Sequence, residues 1–501
     1  MECEASDVVK KNILICNVGN RDVQFAQGEN EFPKNNFREV SKKIYGQYEE
    51  KKENLHFPII TTILLDLTKR IKKLNIHEIL LIATDQNPPH FSDTLYSAQL
   101  IRKYLLDTKD DRKIWGGYLN QLKKPKIIAM QNNPSNMDDM YKFYSEQLPQ
   151  ILGDLDQYQN IFFSITGGTP AMNTMLMIHG INVGKDKAQI VYVPNKSGRS
   201  RNLNITGRML LENHLLTIRQ NIQHFEYHSA IQYLENNQEF FASRFPIKML
   251  QNLICIFKYA FLRISFQFGE ALEFIGHFSE SRDDASLENL YDYIRDLTEH
   301  NVDDHVDKYM AELYWNINML YSKGQFIDVC LRLFRFQEQS LREFVKRKLG
   351  VVLDEKVINQ EWLKNNTGLR AYLEKSKIRY QGTITRATLQ ETANYYIQNQ
   401  ESALNPILSK INLFDELSTL RNNCIGAHGF SGITEEKMYE LMQNKFKLDA
   451  IEDFKEALFS TMKEIYTAIF ENDELLTENQ YEQMNQVIFK QLDKMSKVEV
   501  E

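Results

Sequence analysis

The tract Leu417-Ser418-Thr419-Leu420-Arg421-Asn422-Asn423-Cys424-Ile425-Gly426-Ala427-His428-Gly429 sets one arginine and one histidine seven positions apart. On a continuous helix, seven steps of 100° bring Arg421 and His428 out on nearly one face, roughly 10 Å apart along the axis. An imidazole can move a proton near neutral pH, and a guanidinium can hold two phosphate oxygens with parallel hydrogen bonds. With no carboxylate or metal-ligand cluster in the same stretch, the pair suits chemistry on a phosphodiester. Spacing alone does not single it out. Arg70/His77, Arg208/His214, Arg219/His224 and Arg295/His300 are comparable pairs. The three at spacings of five or six would diverge by about 120–140° on a helix. Asn75 interrupts the first, whose His77 opens a strand-like run. The bland alternative for Arg421 and His428 is a surface arginine and a helix-end histidine favoured by the macrodipole.

The element that must position this pair reads as a helix. Asn405-Pro406 has the form of a cap followed by proline at the first helical position. Leu404, Ile407, Leu408, Ile411, Phe414, Leu417 and Leu420 then recur mostly three apart. Gly426 and Gly429 are expected to loosen the end that carries His428. Further upstream, Phe326, Val329, Cys330, Leu333, Phe334, Phe336, Leu341 and Phe344 line one apolar helix that also carries Glu338 and Arg342. Phe454–Phe470 reads as another.

Proline marks a change of architecture. Nine of the 11 prolines lie at or before Pro194, and only Pro246 and Pro406 follow. In the first part, short apolar runs alternate with helical patterns. Candidate strands are Ile13–Val18, Glu78–Thr84, Lys126–Met130, Asn160–Thr166 and Ala188–Val193; candidate helices lie near 57–73, 93–106, 137–152 and 170–183. That alternation predicts a parallel, doubly wound, Rossmann-like α/β sheet, with ligands beyond the carboxyl ends of its strands. Those ends read Asn17-Val18-Gly19-Asn20-Arg21-Asp22, Thr84-Asp85-Gln86-Asn87, Gln131-Asn132-Asn133 and Thr166-Gly167-Gly168-Thr169, the last leading into Pro170-Ala171-Met172-Asn173. A glycine-rich turn at a helix start can cradle an anion with backbone N–H groups. The alternative is a tight turn that simply needs glycine. Neither GxxxxGK[ST] nor GxGxxG is present at these positions, so the common nucleotide fingerprints do not apply.

The 501 residues predict three parts: an α/β domain at 1–204, a helical connector at 205–320 and an all-α domain at 321–501. The net charge of −7 argues against coating by nucleic acid, so an RNA would bind in a local cleft. Five scattered cysteines without CxxC read as reduced thiols, and no apolar run reaches the roughly 18 residues of a membrane span. Both point to a cytoplasmic protein with no membrane partner and no metal.

The two halves together resemble the CARF–HEPN ribonucleases that accompany type III CRISPR systems. Asn17–Asp22 and Thr166–Met172 look like the CARF nucleotide-sensing signature. Leu420–Gly429 looks like the HEPN signature, including asparagine directly after arginine. The resemblance covers roughly 1–200 and 321–470. It implies a cytoplasmic homodimer whose CARF domains bind a cyclic oligoadenylate, most simply of four adenylates. It implies a composite, metal-independent HEPN site that cuts single-stranded RNA with no cofactor. In that reading Arg421, Asn422 and His428 are catalytic. The messenger contacts are Asn17, Gly19, Asn20, Arg21, Asp22, Thr84, Asp85, Gln86, Asn132, Thr166, Gly167, Gly168, Thr169, Ala171, Met172 and Asn173. Pro170 stands where such proteins often carry lysine; Arg21, or Arg199 and Arg201, would have to supply that charge. The alternatives are a non-catalytic ligand-sensing regulator with a helical dimerisation or DNA-binding domain, and a toxin-like protein that modifies nucleotides.

Overall fold

A computed structural model describes residues 10–25, 36–194, 198–203, 205–277, 285–299, 305–354, 357–378, 382–426 and 429–498. The chain forms two compact units, Met1–His214 and Leu215–Glu501.

Among its described residues the first unit has eight strands: β1 (Lys11–Asn17), β2 (Gln24–Phe25), β3 (Leu55–His56), β4 (Glu78–Thr84), β5 (Lys126–Met130), β6 (Tyr158–Ser164), β7 (Ala188–Tyr192) and β8 (Arg201–Leu203). Six form one sheet in the order β5-β4-β1-β6-β7-β8, and β2 pairs with β3 in a separate ribbon. The sheet is parallel except for β8, which runs antiparallel to β7. Runs such as KNILICN are apolar at successive positions because both faces are covered. Leu14 and Cys16 pack on one side with the helices Pro58–Leu65 and Leu95–Thr108. Ile13 and Ile15 pack on the other with Met137–Leu152 and Pro170–Gly184. Each fully buried aliphatic side chain contributes roughly 1.5–3 kcal/mol to this two-sided core.

The doubly wound α/β expectation therefore holds, and its five strands lie within two residues of their predicted limits. The expected helices near 57–73, 93–106, 137–152 and 170–183 correspond to Pro58–Leu65 with its π-helical extension Asp66–Arg70, Leu95–Thr108, Met137–Leu152 and Pro170–Gly184. The β2–β3 ribbon, β8 and the helix Phe37–Gly46 are additions. The winding turns about β1: the chain builds outward through β4 to β5 on one side, then through β6 to β7 on the other.

The second unit is helical among its described residues. Phe326–Glu343 buries Val329, Cys330, Leu333, Phe334, Phe336 and Leu341. Segments from before and after position 320 share one core. Tyr227 Oη donates to Asn485 Oδ1 at 2.6 Å, and Asn485 Nδ2 donates to the Ile222 carbonyl at 3.0 Å. Arg263 and Glu312 form an ion pair at 0% exposure each, on Val306–Ser322 and its neighbour Ile247–Ile264. Tyr259 Oη accepts from Arg263 at 3.2 Å, and the Tyr293 and Tyr481 rings lie 4.6 and 5.6 Å from the guanidinium carbon.

Candidate functional site

The carboxyl ends of β1, β4 and β6 open into a cavity of about 500 Å³, within the range of small-ligand sites. It stands where the winding reverses, between β1 and its neighbour β6. Its lining includes Gly19, Asn20, Arg21 and Asp22 after β1, Thr84 at the end of β4 and Gln86 beyond it, and Thr166, Gly167, Gly168, Thr169 and Met172 after β6.

The glycines are there because two loops touch through their backbones. A Cβ at Gly19 would lie 2.5 Å from the Gly168 nitrogen, and one at Gly167 would lie 2.1 Å from the Asn17 carbonyl oxygen. Gly168 also has φ +80°, a conformation L side chains rarely adopt. Asp22 lies beneath this contact. Its Oδ2 accepts from the Gly19 N–H at 2.7 Å, and burial pushes its carboxyl up to about 7, against that hydrogen bond. Thr169 caps the helix Pro170–Gly184: its hydroxyl accepts from the Met172 N–H at 3.2 Å and donates to the Pro134 carbonyl.

Five predicted contacts are not part of the lining. Asn17 is buried, donates to Asn173 Oδ1 at 3.0 Å and accepts from Tyr144 Oη at 2.5 Å. Asn17 and Asn173 thus tie β1 to two helices. Asp85 pairs with Arg38 at 2.6 Å, Ala171 belongs to the core under the sheet, and Asn132 is an exposed neighbour of the lining residue Asn133. Thr169 lines the cavity, but its hydroxyl proton is already directed to Pro134. Arg21 supplies a cation to the lining; Arg199 and Arg201 are exposed and are not among the lining residues. Sequence reasoning missed His90, Ser92, Thr94, Pro134, Ser135 and Ile59. His90 was findable, because its loop leaves the carboxyl end of β4.

In the helical unit the arginine tract departs from the expected continuous helix. Asn405–Leu413 is followed by the 3-10 turn Phe414–Leu417 and the short helix Ser418–Asn423. Asn405 is its first residue, not its cap. The helix stops because Cys424 is extended (φ −85°, ψ 160°) and bridges to Ser431. The Gly429 N–H donates to the Cys424 carbonyl at 3.1 Å, and Ser431 N–H to the Asn423 carbonyl at 3.1 Å. The one-face geometry expected for positions 421 and 428 is therefore not formed by a helix. Both glycines stand in close contact: a Cβ at Gly429 would lie 2.0 Å from the Asn423 carbonyl oxygen. A Cβ at Gly426 would lie 2.7 Å from Leu331 Cδ1, so that glycine permits close packing. His428 itself lies outside the described residues.

Arg421 lies against the Phe334 ring, with its guanidinium carbon 4.8 Å from the centroid. Asn422 is exposed. The Cys424 thiol donates to the Arg421 carbonyl at 3.1 Å. A second cation, Arg386, was not expected. Burial lowers its pKa, Glu338 opposes that, and the nearby Arg421 charge adds to it. Arg386 also pairs with Asp415. Burial likewise pushes the Cys330 thiol up to about 12, with Cys424 adding and Arg421 opposing. Among the described residues, no group of three or more His, Cys, Asp and Glu is placed to hold a metal ion, and no helix is long and apolar enough to cross a membrane.

The tract falls within a stretch, residues 297–489, that matches the Cas_Csm6 HEPN domain. This part of the chain is therefore similar to that domain. The match begins before position 321 and takes in the helices that carry Glu312, Phe334, Arg386 and Arg421. The fold is similar to that of a solved Csm6. The structure described as Enterococcus italicus Csm6 bound to cyclic hexa-2'-fluoro-hexa-dAMP superposes with a TM-score of 0.58 at 13% identity, covering 96% of this chain and 100% of that one. No curated protein matches the sequence.

Proposed function

We propose that this protein is an endoribonuclease, switched on by a cyclic oligoadenylate, that cuts single-stranded RNA in type III CRISPR antiviral defence. One observation carries the reading. A single chain joins a cavity at the winding reversal of an α/β unit to a Csm6-family HEPN domain whose Arg421-Asn422 precedes a histidine. The α/β unit is the CARF-like sensor, and the solved Csm6 of the same fold is described with a cyclic hexanucleotide. Two chains would pair, presenting each sensor loop twice to a ring of repeating phosphates and each HEPN tract twice to one RNA strand. The sequence expectation was a ring of four adenylates; the ring in that Csm6 has six.

RNA carries its own nucleophile, so the enzyme need only align the 2′-hydroxyl with the phosphorus, move protons and stabilise charge. His428 serves as general base or acid, typically worth about 10²–10⁴-fold. Arg421, held against Phe334, faces the developing charge on the phosphate oxygens, and exposed Asn422 orients the substrate by hydrogen bonding. The attack forms the O2′–P bond and breaks the P–O5′ bond, leaving a 2′,3′-cyclic phosphate and a 5′-hydroxyl. No step requires a metal. The messenger acts by binding the active arrangement more tightly than the resting one, and that difference limits the activation.

The test is cleavage of labelled single-stranded RNA in excess EDTA, with and without cyclic tetra- or hexa-adenylate. Strong stimulation by one ring is expected. Equal cleavage with and without every ring would end the messenger assignment, and no cleavage under any condition would end the ribonuclease assignment.

A further inference from the structure

One carboxylate organises the cavity wall between Thr84 and Thr94. Asp93 is 0% exposed. It accepts from the Gln86 N–H at 3.1 Å, Gln86 Nε2 at 3.0 Å, the His90 N–H at 2.8 Å and the Arg38 guanidinium at 3.0 Å. An ionised carboxylate offers only acceptors. The Gln86 atom turned toward it is therefore the amide nitrogen, and the amide oxygen is left at the other side of the group. His90 is fixed in a similar way. The Ser92 N–H donates to His90 Nδ1 at 3.3 Å, so the neutral ring carries its proton on Nε2. The Phe91 ring packs on the imidazole, with centroids 4.1 Å apart. Arg38, on the helix Phe37–Gly46, secures the loop from behind through Asp93, Asp85 and the Phe91 carbonyl.

Both Gln86 and His90 line the cavity. Among the described residues, neither Gln86 Oε1 nor His90 Nε2 has a hydrogen-bond partner. The wall thus offers one acceptor and one donor, on two residues anchored to the same buried carboxylate, Gln86 through its amide and backbone N–H and His90 through its backbone N–H.

We propose that Gln86 and His90 select the base of the ligand by reading the Watson–Crick edge of an adenine. Adenine sets an N6–H donor beside the N1 acceptor. Gln86 Oε1 accepts from N6, and His90 Nε2–H donates to N1. Hypoxanthine and guanine reverse the pattern, with an O6 acceptor beside an N1–H donor. Acceptor would then face acceptor and donor face donor, leaving four polar groups without partners where the bound base shields them from water. The inference rests on the proposal that this cavity takes a cyclic oligoadenylate, and adds which groups choose the base.

Calorimetry on the full-length protein tests it with cyclic tetra- and hexa-adenylate and the matching cyclic inosinates. The adenylate ring should bind at least about tenfold tighter than its inosinate counterpart, the scale of one paired base contact. Gln86→Met and His90→Ala should each reduce that ratio toward one, and His90→Gln, which keeps a donor, should retain part of it. A ring built from 7-deaza-adenine should bind like the adenylate, because N7 is not read. Equal affinity of the wild type for adenylate and inosinate rings would overturn the inference while leaving the messenger reading standing. Loss of the 7-deaza ring would overturn the edge assigned. If no ring of either base binds, the reading of the cavity fails, and base selection with it.

Discussion

A side chain at position 429 would place its Cβ 2.0 Å from the carbonyl oxygen of Asn423, so Gly429 packs backbone to backbone against the end of the helix that carries Arg421. Gly429→Ala should therefore displace the loop and lower ribonuclease activity by about tenfold or more, the scale of a small misplacement of catalytic groups. Gly432→Ala is the internal control, since nothing lies within 4 Å of its added methyl. Equal activity of the two variants would show that the close approach does not matter to the site.

Arg421→Ala and His428→Ala should each abolish RNA cleavage while far-ultraviolet circular dichroism and mass in solution stay unchanged. Arg421→Lys should recover little, because an ammonium cannot hold two phosphate oxygens in parallel. Products analysed by mass spectrometry should end in a 2′,3′-cyclic phosphate or its 3′-phosphate hydrolysis product. Efficient cutting of 2′-deoxy substrate would exclude attack by the internal hydroxyl.

Asp22 should make the cavity sensitive to pH. Its folded pKa is raised from 3.8 to about 7, chiefly by burial. The folded state therefore holds a proton that the unfolded chain has lost between about pH 4 and pH 7, and stability falls as pH rises through that window. The full shift corresponds to at most about 4 kcal/mol. Protonation also removes a negative charge from the cavity, so if the proposed cyclic oligoadenylate binds there it should bind more tightly at pH 6 than at pH 8. Asp22→Asn should flatten both dependences. An unchanged slope, by thermal melting and calorimetry across that range, would remove Asp22 as their source.

The buried Arg263–Glu312 pair should be costly to break from one side. Arg263→Met leaves the Glu312 carboxylate uncompensated at 0% exposure and should cost about 3–5 kcal/mol. Replacing both with apolar residues should recover much of that loss. Urea denaturation of the two variants beside wild type measures the difference, and a single variant as stable as the double would contradict the account.

Much of the α/β unit was legible because a strand covered on both faces must be apolar at successive positions, as Ile13, Leu14 and Ile15 are. The glycine loops at the ends of β1 and β6 were legible for a related reason: small residues gather where backbones approach. β8 was not, since its Arg-Asn-Leu has no apolar run and its pairing depends on β7. The separation of Asn17, Asp85 and Asn173 from the lining was equally hidden. A polar residue at a strand end reads the same whether it meets a ligand or, like Asn17, a buried tyrosine. Arg386 carried no local signal, because only packing brings it near Arg421. The stop after Asn423 depends on Ser431 and Gly429 folding back, which a periodic pattern ending at Leu420 cannot anticipate.

Gly19, Gly167 and Gly168 make part of the cavity floor out of main chain, while Arg21, Gln86, His90 and Ser135 contribute side chains to its lining. This division separates what heritable change can touch cheaply from what it cannot. A side chain at Gly19 or Gly167 collides with the facing backbone, and one at Gly168 is strained by its φ of +80°, so a substitution in the floor is opposed by the fold. A substitution in the wall leaves the joint between β1 and β6 intact and alters only which molecule is welcome. A lineage built on this scaffold could therefore drift in what the cavity accepts, one wall residue at a time, without rebuilding the joint beneath it.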